Sequence, residues 1–437
     1  MKIRISSNYV SKDKKTIFQS FLSLGAIQAT NYLLPLITIP YIIRVIGTDK
    51  FGTVALAQAV LGFLSIIVDY GFSLSATRDI SIYREDKNKL SKIFSEVIIV
   101  KLLLCLFCFI ILYLISFIFS KIGQEVLLYF MGFSLVIGQS IIPVWFFQGI
   151  EKMKYLTYLN LTSKAIGTIL IFILITSPAD YIYIILLSSL GNIISGIIGL
   201  WIIFNKFSIK LWLPSTSNII IQLKDGWPIF LSNFSIASYN NSNILILGMF
   251  ASNTIVGYYS IVEKVILVMR QLLGSFSSAI FPHICKISII SYDEIKSFLK
   301  IIFIPFSIII FIVCSCIFVF SSYIIFFLSG KYINEASFLL KILSFVPFII
   351  VLNNPPYQVL VAYNKKKSYS IILLSGAIVN LFLNVILVKD LQALGTAIAI
   401  ICTEIFITAG LFIILEIKHP LYSLLSINTK SKKLHNY

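Results

Sequence analysis

"IIVKLLLCLFCFIILYLISFIF", from Ile98 to Phe119, carries a single charge, Lys101, in 22 residues. A helix needs about 20 predominantly apolar residues to cross a hydrocarbon core of roughly 30 Å, so this run has the length and composition of a membrane span. "YIYIILLSSLGNIISGIIGLWIIF", from Tyr181 to Phe204, repeats the pattern. Over 437 residues the chain is 58% hydrophobic and 12% charged, with a mean hydropathy of +0.96. That balance excludes an ordinary soluble domain. Ten-residue segments of alternating polarity are absent, which excludes an outer-membrane barrel. The composition predicts an all-α polytopic membrane protein.

Hydropathy and loop charges together predict about twelve spans, beginning with 17–43 and 53–77 and ending with 368–388 and 392–416. An even number puts both termini on one side. Of the 35 Lys and Arg residues, 25 fall on that side, 4 fall in the opposite loops and 6 lie in spans or at their edges. Basic loops stay in the cytoplasm, so both termini are expected there. The same asymmetry accounts for most of the net charge of +17. Short scattered loops offer no single basic face, so no nucleic-acid partner is expected. No small-residue cleavage site follows the first apolar run, and the first span is expected to be retained. Cys105 and Cys108 form a CxxC without neighbouring His or carboxylate groups, a pattern that points to packing on one helix face rather than to metal or redox chemistry.

Residues 205–226, "NKFSIKLWLPSTSNIIIQLKDG", form the longest segment between spans and the expected boundary. The chain thus divides into an N-terminal six-helix bundle, 1–204, a cytoplasmic connecting loop, 205–226, and a C-terminal six-helix bundle with a cytoplasmic tail, 227–437. Weak internal similarity supports the division: Gly52 aligns with Gly257, and Pro143, Lys152 and Lys154 align with Pro356, Lys365 and Lys367. Two halves with even span numbers give parallel repeats about an axis along the membrane normal, with a cleft between them. No segment is large enough for a soluble catalytic domain. The three histidines, His283, His419 and His435, form no metal or triad pattern, and no nucleotide fingerprint is present. The expectation is therefore a protein that is not an enzyme and carries no cofactor. Gly191, Gly196 and Gly199 are expected to permit close helix packing.

The remaining charges are the informative ones. An Arg or Lys at the centre of a span costs about 2.5 to 3.5 kcal/mol on insertion scales, so one kept there faces protein, water or substrate. Basic residues within or at the edges of spans are Arg44, Lys101, Lys164, Lys264, Arg270 and Lys341; leaving aside Glu125, Glu335 and Glu416 at span ends, the acids are Asp69, Glu96, Glu263 and Glu404. The positive excess suits an anion better than a cation. In "SIVEKVILVMRQLLGSF" (Ser260 to Phe276), Arg270 sits near the midpoint of its span and Glu263 lies seven residues earlier on the same helix face. Helix rise separates them by about 10 Å, too far for a direct pair. Arg270 either pairs with an acid on another helix or faces the cleft and binds an anion, and its planar fork suits a phosphate. Lys264 either snorkels or joins the same basic surface, while Lys101 and Lys164 are either packed against neighbours or part of it.

Two spans are wet. Gln28, Asn31, Tyr32 and Thr38 lie in the first, and Asn233, Tyr239, Asn240, Asn241 and Asn243 in the seventh. Amides and tyrosines there either hydrogen-bond sugar hydroxyls or hold helices together.

Six stretches, "NYLLPLITIPYIIRVIGTDKFG" (31–52), "DYGFSLSATRDIS" (69–81), "PVWFFQGIEKMKY" (143–155), "GWPIFLSNFSIASYNNSNILILG" (226–248), "VGYYSIVEKV" (256–265) and "FPHI" (281–284), together resemble the Wzx-type O-antigen flippases. These form the polysaccharide-exporter branch of the multidrug/oligosaccharidyl-lipid/polysaccharide superfamily. The resemblance implies two six-helix bundles around a central cavity in the bacterial inner membrane. It also implies translocation of an undecaprenyl-pyrophosphate-linked oligosaccharide to the periplasmic leaflet by alternating access. Under that implication Arg270, Lys264, Lys101 and Lys164 neutralise pyrophosphate, while Asn31, Tyr32, Asn233, Tyr239 and Asn240 touch glycan. Glu263, Asp69 and Glu404 are the candidates for ion coupling or charge pairing. Membrane lipids and polysaccharide polymerase with chain-length machinery are the further partners it implies. The rival readings are a multidrug cation exporter of the same superfamily, which the basic interior disfavours, and a polytopic polysaccharide polymerase or ligase, which lacks its usual large periplasmic loop here.

Overall fold

The computed structural model describes the backbone of residues 7–288 and 292–418, and their side chains except those of 7–33, 35, 36, 235, 236, 238–240, 293 and 366. Among the described residues every regular element is helical. In chain order they are α1 (Ser7–Asp69), α2 (Phe72–Ile82), α3 (Lys87–Ile118), α4 (Ser120–Gln124), α5 (Val126–Gly132), α6 (Ser134–Ile141), α7 (Val144–Gly149) and α8 (Met153–Leu174). After a 3-10 turn at Pro178–Ile182 come α9 (Tyr183–Lys206), α10 (Thr216–Phe250), α11 (Asn253–Ile287), α12 (Tyr292–Val319), α13 (Ser321–Ser329), α14 (Asn334–Leu343), α15 (Val346–Ala362) and α16 (Lys366–Lys418).

Nine helical stretches among the described residues are long and apolar enough to cross a membrane. Two of them, Ile37–Ile82 with 46 residues and Lys367–Lys418 with 52, exceed what one crossing requires. Each contains a break. In α1 the break is Gly47, at φ 78° and ψ 166°, a conformation that residues with a Cβ avoid. In α16 it is Gln392, at φ 48° and ψ −125°. A count of twelve crossings is a proposal that reads both breaks as hairpins and adds α10 to the nine stretches. The span expected at 227–250 lies in α10, of which Asn241–Phe250 is the apolar part among the described residues.

The helices divide into two compact units, Met1–Leu245 and Ile246–Tyr437. Unit 1 is knit together by small residues. A Cβ on Gly191 of α9 would strike the Ser163 carbonyl oxygen of α8, and one on Gly167 of α8 would lie 3.1 Å from the Ser188 oxygen of α9. The two backbones therefore touch, which brings short side chains within hydrogen-bonding range. Ser163 bonds Asn192 at 2.5 Å and Thr162 bonds Ser195 at 3.0 Å, while on another side of α9 Ser189 bonds Ser134 of α6. Gly196 and Gly199 face Ile141 and Pro143 in the same close manner, as the sequence led us to expect. Gly191→Leu should force α8 and α9 apart. The expected result is a several-fold loss of folded protein in the membrane, read by immunoblot and by size-exclusion chromatography after mild solubilisation.

Below this crossing, Trp145, Phe146 and Phe147 of the "PVWFFQG" stretch are buried, with Phe94, Tyr155 and Phe207 among the rings that pack around them. Cys105 and Cys108 are buried on one face of α3, as packing residues. The segment after α9 lies along α3. The Lys210 N–H donates to Ser91 Oγ at 3.1 Å, and the Trp212 N–H donates to Ser95 Oγ at 2.9 Å. Next to these serines Glu96 accepts from Asn218 Nδ2 at 2.7 Å and from Gln222 Nε2 at 3.0 Å.

Unit 2 centres on α11, α15 and α16, which pack pairwise. It buries more amides than its apolar sequence suggests: Asn354, Gln358, Asn380 and Asn384 are all in its interior.

Candidate functional site

In unit 1, α1 ends at Asp69 because Tyr70 and Gly71 take up positive φ, and α3 begins at an N-cap where Asp86 accepts from the Asn88 and Lys89 amides. With α1 and α3 packed together, Lys101 Nζ lies 3.3 Å from Asp69 Oδ1. Lys101 is 3% exposed, whereas the Asp69 side chain is 37% exposed. The pair is therefore buried at its ammonium end and open at its carboxylate.

Lys164 is different. It sits 11 residues into the 22-residue α8, so about 16 Å of helix lies on either side of it. It makes no hydrogen bond or ion pair with any described residue. Tyr158, Ala165, Ile169 and Ile173 form an exposed stripe with lipid-facing character. At 100° per residue, Lys164 lies between 100° and 180° from the residues of that stripe, beside Thr157, Asn160, Thr168 and the buried Ile171. The Asn160 side-chain oxygen on that flank is buried and accepts no hydrogen bond from a described residue. A cation at mid-span, exposed but turned away from the apolar stripe, has the placement expected of a group that meets water or substrate.

In unit 2, α11 carries Glu263, Lys264 and Arg270. Arg270 Nη2 donates to Glu404 Oε1 of α16 at 3.1 Å, and Glu404 is 3% exposed. Of the two readings of Arg270 that the sequence left open, this geometry supplies the acid on another helix. Neither Glu263 nor Lys264 forms an ion pair within 4.0 Å among the described residues. Unit 2 holds further polar contacts between its helices and within α16. Gln358 Nε2 donates to the Ser277 carbonyl at 3.0 Å and to Ser277 Oγ at 2.5 Å. Asn380 Nδ2 donates to Thr403 Oγ1 at 3.3 Å, and Thr396 Oγ1 donates to Asn384 Oδ1 at 3.1 Å. The sequence reading passed over Gln358, Asn380 and Asn384. The usable signal was the one-turn spacing of the two asparagines in the otherwise apolar "NLFLN".

Of the expected glycan contacts, Asn233 is half-buried on α10, and the side chains of Asn31, Tyr32, Tyr239 and Asn240 lie outside the described residues. Among the edge charges, Arg78 pairs with Asp79 at 2.8 Å and with Asp225 at 3.5 Å, and Lys341 stands 5.9 Å from the Phe318 ring centroid. Among the described residues no group of three or more His, Cys, Asp or Glu residues has metal-binding geometry.

Chemically, then, Lys101 and Arg270 are held by carboxylates on other helices, Lys264 lies within electrostatic reach of its neighbour Glu263, and Lys164 makes no ion pair among the described residues. Arg270 and Lys101 meet one only by sharing or exchanging the carboxylates they already hold.

Known proteins place this arrangement in context. The chain is 29% identical over 408 residues to a protein of Escherichia coli K12 named "Putative O-antigen transporter", covering 92% of this chain and 97% of that one. It is 32% identical over 419 residues to a protein of the same name from Shigella dysenteriae, covering 93% and 100%. Among solved structures, the lipid II flippase MurJ in an inward closed conformation superposes with a TM-score of 0.65 at 15% identity, over 91% of this chain and 87% of that one, a likeness of fold. The profile of the family described as "Polysaccharide biosynthesis protein" matches residues 17–288. With that match and with relatives aligned over nearly its whole length, the chain belongs to the polysaccharide biosynthesis protein family.

Proposed function

We propose that this protein is a flippase for lipid-linked oligosaccharide in the bacterial inner membrane. Its cargo in this reading is an undecaprenyl-pyrophosphate-linked O-antigen repeat unit, carried from the cytoplasmic to the periplasmic leaflet by alternating access. The observation that carries the reading is Lys164, a mid-span cation without a carboxylate partner, set among polar residues rather than on the apolar stripe. A cation exporter gains nothing from such a group, whereas a pyrophosphate needs it. The names of the two enterobacterial relatives support the class of cargo.

In this reading each unit offers the pyrophosphate its own cations: Lys164 and Lys101 in unit 1, and Lys264 and Arg270 in unit 2. Lys101 and Arg270 engage it as the cargo competes with Asp69 and Glu404 for their donors. A carboxylate displaced in this way becomes free to take a proton or a sodium ion, which links the cargo to an ion gradient through Glu404, Asp69 or Glu263. Asn31, Tyr32, Asn233, Tyr239 and Asn240 contact the glycan. Both termini are cytoplasmic, on the charge asymmetry of the loops. Polymerase and chain-length machinery receive the delivered units.

The test is the sidedness of the lipid-linked oligosaccharide in cells with and without the protein, using a label confined to the periplasm. In the deletion strain the cargo is expected to accumulate out of reach of the label, and a plasmid copy should restore labelling. Normal labelling of single units in the deletion strain, with polymerisation or attachment failing instead, would overturn the flippase reading in favour of an enzyme.

A further inference from the structure

Within unit 1 the segment between α9 and α10 reverses the arrangement of a surface loop in water. Leu211, Trp212 and Leu213 are exposed, Leu213 to 96%, and so are Ile220 and Ile221 on the first turns of α10. The amides point the other way. Asn218 and Gln222 both donate to Glu96 of α3, and Gln222 is buried. The segment is also fixed in place: the Ser91 and Ser95 hydroxyls of α3 accept the Lys210 and Trp212 N–H groups. Large apolar groups gathered and held outward in this way mark contact with lipid or with another protein.

Depth decides between the two. The exposed apolar face of α3 runs from Leu102 to Ile118, the part of that helix that meets lipid. A hydrocarbon core of about 30 Å takes about 20 helical residues, so counted back from Ile118 it ends near Ile98. Ser95, which holds Trp212, lies about 5 Å beyond that boundary, within the interfacial layer of about 5 to 8 Å on each side of the core. From Lys210 at Ser91 to Trp212 at Ser95 the segment climbs α3 towards the hydrocarbon. Trp is enriched at this depth. Lys92, 6.0 Å from the Trp212 ring centroid, and Lys210 are exposed, with stems long enough to reach headgroups. We infer that Leu211, Trp212, Leu213, Ile220 and Ile221 are embedded in the phospholipid leaflet on that side, as a shallow interfacial anchor tied to α3. In the orientation proposed above that leaflet is the cytoplasmic one. The anchor itself depends neither on that orientation nor on the cargo, because it includes none of the proposed cargo-binding residues.

The experiment reads Trp212 in the full-length protein reconstituted into phosphatidylcholine nanodiscs, as the difference in emission between the wild type and Trp212→Phe. Phospholipid brominated near the carboxyl end of its acyl chains should remove most of that component. Bromine near the methyl end should quench it less, and iodide in the buffer should leave it nearly unchanged. A second measurement needs no tryptophan: p-benzoylphenylalanine in place of Leu213 should, on illumination in the same nanodiscs, add the mass of one phospholipid. Thermal melting in detergent identifies a variant that has lost its fold, and the other measurement then still decides the question. A Trp212 component quenched by iodide and untouched by bromine would put the segment in water and overturn the anchor. So would a component that neither quencher reaches, stronger quenching by bromine at the methyl end, or a folded crosslinking variant that gains no lipid mass.

Discussion

Replacing Lys164 with Met is expected to reduce export of lipid-linked oligosaccharide at least tenfold while leaving the amount of protein in the membrane unchanged or higher. The two halves of this expectation have separate causes. A mid-span lysine without a carboxylate partner contributes an insertion penalty of about 2.5 to 3.5 kcal/mol, so its removal favours the folded, inserted state. A structural lysine behaves the opposite way, because its loss strands a buried partner, and none is found here among the described residues. Loss of export therefore reports contact with cargo rather than collapse of the fold. Lys164→Arg keeps the charge at that depth and should retain most of the activity. The measurements are periplasm-accessible cargo and immunoblotted protein level, and full export by the Met variant would remove Lys164 from the mechanism.

The second large effect concerns Arg270 and Glu404. Breaking a buried pair by removing one member costs about 3 to 5 kcal/mol, since it leaves an uncompensated charge. That is a large fraction of the stability of a typical domain. Arg270→Met and Glu404→Leu should each lower accumulation several-fold. The double variant removes both charges, and apolar replacement of a buried pair is neutral or stabilising by about 1 to 4 kcal/mol, so protein level should recover. Export should not recover, because in the proposed mechanism the guanidinium itself meets the pyrophosphate. Comparing level with export across the double-mutant cycle separates the structural share of the pair from the functional one. Normal export by the double variant would make the pair purely structural and leave Lys264 as the proposed phosphate ligand of unit 2.

These two residues also mark where the sequence was sufficient and where it was not. The spans were legible because their signal is local: twenty apolar residues match the bilayer wherever they lie in the chain, and the charge of a loop adds to its neighbours without reference to the fold. Gly191, Gly196 and Gly199 were legible for a similar reason, since a residue without a side chain in a span has few uses other than close approach. The charge budget of the spans, with its excess of cations, was equally a matter of composition.

Pairing was another matter. Sequence placed Glu263 on the face of α11 that carries Arg270, yet helix rise alone keeps the two about 10 Å apart. The group that Arg270 bonds, Glu404 at 3.1 Å, lies 134 residues further along the chain. Lys101 found Asp69 in the same way, through the packing of α1 against α3, and Gln358 found Ser277 through α11 and α15. By itself the sequence determined that the chain would fill a membrane with helices and retain more positive than negative charge inside it. Only the tertiary structure decided which cations are neutralised and which, like Lys164, remain available. The strength of an ion pair depends on a few ångströms of separation, and those ångströms are set by which helices meet, not by the order of residues within any one of them.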